Sequence, residues 1–143
     1  MTHVLVVDDD RMVLEVLQLL YSIHPMVRST SGARTYDEAL MVLRSCTVDI
    51  VSIDIDLGRT TYSGFDLCRT IRRTVGRVFI TICSADGTPD NRRIAEFLGA
   101  HSFLQKPVNL SDIGRLMDEY EKWRSNPKSP PGCGKYGVVA HPS

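Results

Sequence analysis

The sequence predicts an α/β fold: one open, parallel sheet with helices on both faces. Three observations predict it. Short apolar runs recur five times along the chain, and each is followed by a segment with apolar residues at helical spacing. The fourth run, Val78 to Cys83, is near-continuous and rich in β-branched residues, as suits the middle of a parallel sheet. The polar residues suited to chemistry stand where these runs stop, which is where open α/β sheets place their ligands. The pattern alone does not give strand order.

The elements follow in order. His3 to Val7 reads as the first strand and stops at Asp8, Asp9 and Asp10. Arg11 to about Ser22 follows as a helix, with Val13, Leu14, Leu17, Leu20 and Tyr21 on one face, and Asp10 suits its N-cap. Val27 to Ser31 is a weaker second strand. Thr35-Tyr36-Asp37-Glu38 reads as a capping box, with Thr and Glu each satisfying a free amide, and opens a helix to about Arg44. Asp49 to Ile53 is the third strand and stops at Asp54. Ser63-Gly64-Phe65-Asp66 opens the third helix, whose apolar face carries Phe65, Leu67, Cys68 and Ile71.

Val78 to Cys83 is the fourth strand and stops at Ser84-Ala85. Thr88-Pro89 opens the fourth helix, with proline in the first turn where its missing N–H costs nothing, and Gly99 closes it. Ser102 to Gln105 is the fifth strand and runs into Lys106-Pro107. Asn109 to about Trp123 is the last helix, carrying Ile113, Leu116, Met117 and Tyr120, with Trp123 packing at its end.

A chain of 143 residues suits one domain with a proper core, placed at residues 1–124. Residues 125–143 are rich in proline and glycine and read as a flexible tail or linker remnant. The 17 basic and 17 acidic residues cancel, which argues against a general nucleic-acid or membrane-surface role. No apolar stretch approaches the ~20 residues of a membrane span, and no secretory signal is visible. Cys46, Cys68, Cys83 and Cys133 lack metal-ligand spacing and read as buried thiols in a reducing compartment, so a cytoplasmic location is expected. His3, His24, His101 and His141 read as surface or boundary residues, and Arg72-Arg73 and Arg92-Arg93 as solvated faces.

The strand ends supply the chemistry. If the first and third strands are neighbours, Asp8, Asp9 and Asp54 converge. Three ionised carboxylates in so small a space need a compensating charge. An all-oxygen donor set points to Mg²⁺ or Mn²⁺ rather than zinc. Lys106 adds a fixed positive charge and Ser84 a hydroxyl, which a phosphoryl group needs to offset its oxygens. A carboxylate so placed is equipped to attack phosphorus and become an acyl phosphate. Taken singly these residues are commonplace: paired acids often only cap a helix, a serine often only makes a turn. Their joint order is what carries weight.

This arrangement resembles the receiver domain of two-component response regulators over Thr2 to about Trp123. The resemblance rests on Val6-Val7-Asp8-Asp9, on Asp54 ending the third strand, on Ser84-Ala85, and on Lys106-Pro107 with Phe103 three residues before the lysine. It implies a single (βα)5 flavodoxin-like domain with strand order 2-1-3-4-5 and a cis Lys106–Pro107 bond. It implies Asp54 as phosphoacceptor, with Mg²⁺ held by Asp9, Asp54 and the backbone carbonyl of Asp56, and Asp8 acting through metal-bound water. It implies Ser84 and Lys106 as phosphoryl contacts, with Ser84 and Phe103 as the switch pair. Asp56 and Asp86 then border the path of attacking water. The implied partners are a histidine kinase or histidine phosphotransfer protein, and a downstream protein or output domain controlled by the face of the fourth helix, fifth strand and fifth helix. A homodimer formed on phosphorylation belongs to the same expectation. Beyond its own phosphorylation and slow self-dephosphorylation, such a domain is not an enzyme.

Three features depart from the family pattern. Gly58 stands where proline is usual. Gly64 comes two residues later than the family's glycine, so the loop Gly58 to Ser63 is longer. Phe103 replaces the commoner tyrosine, so any rotation of that side chain is driven by packing. Two other readings compete. A haloacid-dehalogenase-type phosphatase would use Asp54-Ile55-Asp56 as its nucleophile motif, but its paired acids come last in the chain, and Asp8-Asp9 come first. A degenerate receiver that binds partners without phosphorylation draws only on the altered loop.

Overall fold

The protein is described by a computed structural model over residues 2–58 and 62–126. Among the described residues, five strands alternate with five helices: β1 (Thr2–Val7), α1 (Arg11–Ile23), β2 (Val27–Ala33), α2 (Tyr36–Ser45), β3 (Ile50–Asp54), α3 (Gly64–Thr74), β4 (Phe79–Ser84), α4 (Pro89–Phe97), β5 (Ser102–Gln105) and α5 (Leu110–Arg124). All neighbouring strands are parallel, in the order β2-β1-β3-β4-β5. The expected fold class and strand order are therefore observed.

Period-2 alternation splits β1, β3 and β4 between two cores. Leu5, Val7, Val51, Ile53, Ile80 and Ile82 face one side, where Ala39 of α2, Leu67, Cys68 and Ile71 of α3 and Ala95 of α4 cover them. Val4, Val6, Ile50, Phe79, Cys83 and Leu104 face the other, under Leu14, Leu17 and Tyr21 of α1 and Ile113, Leu116, Met117 and Tyr120 of α5. The inner strands β1, β3 and β4 are thus buried on both sides, as the near-continuous run of the fourth strand predicts, whereas the edge strands β2 and β5 are partly exposed.

The helix starts obey local chemistry. The Asp10 carboxylate accepts from the Met12 and Val13 amides, and Ser63–Asp66 and Asn109–Asp112 form reciprocal capping boxes. At α2 the expected box is only half made. Thr35 accepts from the Glu38 amide, but the Glu38 carboxylate reaches back to the Arg34 N–H at 2.8 Å.

Several boundaries shift. β2 runs on to Ala33 because Val7 still pairs with it. β3 and β4 each end one residue later than expected, so Asp54 and Ser84 are the last strand residues, paired across to Cys83 and Gln105. Cys68 and Cys83 are buried, but Cys46 caps α2 and is exposed, so the buried-thiol reading fails there. Cys133, His141 and nearly all of the 125–143 segment lie outside the described residues.

Candidate functional site

The acids converge because register carries them there. Val7 pairs with Ile53, so Asp8 and Asp54 emerge side by side from β1 and β3. β1 is also where strand order reverses, with β2 on one side and β3 on the other. One carboxylate oxygen from each of Asp8, Asp9 and Asp54 lies within 4.8 Å of the other two. Asp8 is 1% exposed and Asp54 7%. From the end of β5, Lys106 Nζ reaches Asp8 Oδ2 at 2.7 Å and Asp54 Oδ1 at 3.5 Å, closing a contact across 98 positions of sequence. The Lys106–Pro107 bond is cis, as the resemblance implied.

Backbone amides complete the first layer. Asp10 N–H donates to Asp8 Oδ1 at 3.0 Å, and Asp86 N–H donates to Ser84 Oγ at 3.0 Å. Ser84 is buried at the end of β4, on the Lys106 side of the pocket, and Lys106 N–H donates to its carbonyl. Asp56 is exposed; its amide points at Asp54 Oδ1 at 3.4 Å and its carboxylate accepts from the Gly58 amide at 2.9 Å.

Two glycines let the backbone close on the acids. Gly64 opens α3 against the end of β3, and a Cβ there would fall 2.0 Å from the Asp54 carbonyl oxygen. Gly58 has φ +76°, and its Cβ would fall 2.7 Å from Asp9 Oδ2. Proline, locked near φ −65°, cannot take this conformation. Glycine at position 58 therefore lets the backbone lie against Asp9 in a conformation closed to proline.

The electrostatics favour a cation. Burial first, and then the Asp8 charge, push Asp54 up to about 6, against the pull of Lys106. Burial alone would lower Lys106, but its hydrogen bond to Asp8 and the charges of Asp54 and Asp8 outweigh this, and it rises. Among the described residues, the one ammonium paired with these acids, Lys106, does not balance three carboxylates. Hard, all-oxygen donors at this spacing fit a divalent ion of the Mg²⁺ kind, and the residues present suit the group that the resemblance implies.

Residues 4–118 match the family described as response regulator receiver domain. The chain belongs to that family. This receiver domain is 29% identical over 121 residues to the sensory transduction protein LytT of Enterococcus faecalis, covering 84% of this chain and 48% of that protein. It is 33% identical over 115 residues to the regulatory protein VirG of Rhizobium rhizogenes, covering 79% of this chain and 45% of that one. The chain thus spans about half the length of these curated relatives. Among solved structures, a response regulator receiver domain from Clostridium thermocellum superposes with a TM-score of 0.76 at 24% identity, covering 87% of this chain and 98% of that one. The family is a signalling module of two-component systems, and membership favours the receiver reading over the phosphatase.

The structure adds contacts, at the site and around it, that motif reading does not supply. Arg34, on the connection from β2 to α2, donates from Nε and Nη2 to the Asp9 carbonyl at 3.2 and 3.0 Å. Arg92 of α4 is exposed, but its guanidinium lies 4.6 Å from the centre of the Phe103 ring, so it is not merely a solvated charge. No local spacing announces either contact. His101 is a boundary residue that also braces the sheet. Its Nδ1 accepts from Ile80 N–H at 3.0 Å and its ring stacks on Phe79.

Proposed function

We propose that this receiver takes a phosphoryl group on Asp54 from a phosphohistidine of a histidine kinase or histidine phosphotransfer protein. The observation that carries the reading is the convergence of Asp8, Asp9 and Asp54 within 4.8 Å, with Lys106 bridging Asp8 and Asp54. An Asp54 carboxylate oxygen attacks phosphorus and the P–N bond to the donor breaks. The imidazole, protonated on its other nitrogen, leaves as a neutral histidine side chain. Asp9, Asp54 and the backbone carbonyl of Asp56 would hold Mg²⁺ or Mn²⁺, with Asp8 at one remove. When bound, such an ion offsets the negative charge of the phosphoryl oxygens. Lys106 meets one of those oxygens and Ser84 another.

The consequence is a switch. Moving a two-state equilibrium from 1:99 to 99:1 takes about 5.5 kcal/mol. A hydrogen bond to a charged group supplies about 1.5–3 kcal/mol. Ser84 or Lys106 alone is too little, and the two together reach the range, so loss of either leaves a partial switch. Phe103 follows by packing, and the α4-β5-α5 face is recast for a downstream protein, an output domain or a second copy. The protein acts in the cytoplasm and turns over only its own acyl phosphate, at a rate tuned by Asp56 and Asp86, which flank the strand ends. The complete acid set favours this over a phosphorylation-independent binding module.

The test is to add Mg²⁺ with beryllofluoride or a small phosphodonor and follow the amides from Ser84 to Phe103. Shifts along that segment, abolished by Asp54→Asn, are expected. An unmoved segment in the wild-type chain overturns the reading, and sustained hydrolysis of added phosphoesters would restore the phosphatase.

A further inference from the structure

Arg92 is tied to three things at once. Its Nε donates to the Gly87 carbonyl at 3.0 Å, its Nη2 donates to Gln105 Oε1 at 3.3 Å, and its guanidinium stacks 4.6 Å from the Phe103 ring centre. One planar group thereby joins α4, the β4–α4 connection and β5. Gly87 makes the closure feasible, because a Cβ there would lie 2.6 Å from Gln105 Oε1 and 3.1 Å from Arg92 Nη2.

The same connection leads directly from Ser84. Asp86 N–H donates to Ser84 Oγ at 3.0 Å, Thr88 N–H to Asp86 Oδ1 at 3.2 Å, and Asn91 Nδ2 to the Asp86 carbonyl at 3.2 Å. Ser84 Oγ therefore already has a partner, the Asp86 amide, on that connection. Gly87, one residue beyond that partner, is held by Arg92. A phenyl ring offers no hydroxyl for a specific resting contact, but it offers a face, and a guanidinium on that face is attracted to it.

We propose that Arg92 is a clasp that holds Gly87, Gln105 and Phe103 in the resting arrangement and so opposes the movement of Ser84. This inference rests on the phosphorylation reading above and adds a brake to it. Arg92 is a positioning residue, acting through Phe103 and the Gly87 carbonyl, and touches no phosphoryl group. A force that stabilises only one state shifts the equilibrium by its own worth. Releasing a stacking contact and two exposed hydrogen bonds should raise the active-to-resting ratio about three- to tenfold.

The full chain is titrated with beryllofluoride at saturating Mg²⁺, and the Gly87 and Phe103 signals are read by NMR. Arg92→Gln is compared with Arg92→Lys, which keeps the charge and loses the planar fork, and with Arg93→Gln on the neighbouring exposed arginine. Arg92→Gln should move the unliganded signals part-way toward their beryllofluoride positions. Its half-saturation should come about three- to tenfold earlier than wild type. Arg92→Lys should behave similarly and Arg93→Gln like wild type. Should Arg92→Gln fail to fold, Arg92→Lys and Phe103→Leu carry the same comparison from the two sides of the stack. A variant that merely lost stability would melt earlier with its resting signals and midpoint unchanged, and that result overturns the clasp. A wild-type response with no difference in any Arg92 variant overturns the clasp alone; a wild type that ignores beryllofluoride overturns the phosphorylation reading and the clasp together.

Discussion

Gly58 holds φ +76° against the Asp9 carboxylate, and the Asp9 carbonyl accepts from Arg34. Asp9 is thus set by its neighbours as much as by its place after β1. Gly58→Ala puts an L-residue in left-handed conformation, at a cost of about 1–2 kcal/mol. It also drives a methyl to 2.7 Å from Asp9 Oδ2, so the carboxylate must move. We expect urea unfolding to show that loss, and calorimetric Mg²⁺ titration to show binding weakened about tenfold, as for supports of metal ligands elsewhere. An unchanged Mg²⁺ midpoint would mean that Asp9 tolerates displacement. Position 58 was legible in the sequence as a departure from proline. Its reason was not, since a torsion angle and a contact with a carboxylate nearly fifty residues away leave no local trace.

At the scale of elements, the α4–β5 connection is pinned to the end of α5 by a ring cluster. His101 stacks on Phe79 with centroids 5.0 Å apart, meets Trp123 edge-on at 5.0 Å, and Arg77 lies 4.1 Å over the Trp123 ring. Burial, then the charge of Arg72, push His101 down to about 4. Protonating Nδ1 would also break its bond from Ile80 N–H. The unfolded chain takes up this proton near pH 6.5 and the folded chain near 4, so between those values the unfolded state binds more protons. Stability therefore falls as pH drops through that window and is indifferent to His101 above it. The loss approaches about 3 kcal/mol. In urea titrations at pH 7.5, 6 and 5, His101→Phe should start lower at neutral pH, lacking the Ile80 bond, and then lose less than wild type on acidification. Parallel curves would show that His101 does not carry the dependence. Read as a surface or boundary residue, His101 is in fact part-buried; its partners came from the pairing of β4 with β5 and the docking of α5.

Over the whole molecule, the sheet order sets both cores and site. With β1 between β2 and β3, α1 and α5 cover one face and α2, α3 and α4 the other, and the acids meet at the reversal point. The stability left in such a domain is small, so a crowded acid pocket should be felt globally. A ligand that binds only the folded state stabilises by mass action, about 2.7 kcal/mol at a concentration of 100 times its dissociation constant. Mg²⁺ should therefore raise the melting temperature and chelation should reverse it. Asp9→Asn should lose the gain while keeping the fold. A melting temperature indifferent to Mg²⁺ would count against the metal site as drawn.

The order of elements, most of the caps and the identities of Asp8, Asp9, Asp54, Ser84 and Lys106 were all present in the sequence. Each depends on spacing over a few residues: period 2 or 3.6, a side chain reaching an amide three positions on, a polar residue where an apolar run stops. What only the tertiary structure decided is distance. It set Lys106 against Asp8, Gly58 against Asp9, Arg92 over Phe103 and His101 beneath Trp123, and it left Cys46 outside. These contacts join residues brought together by strand order and helix docking, and a sum over the whole core, rather than any local pattern, determines which partners meet.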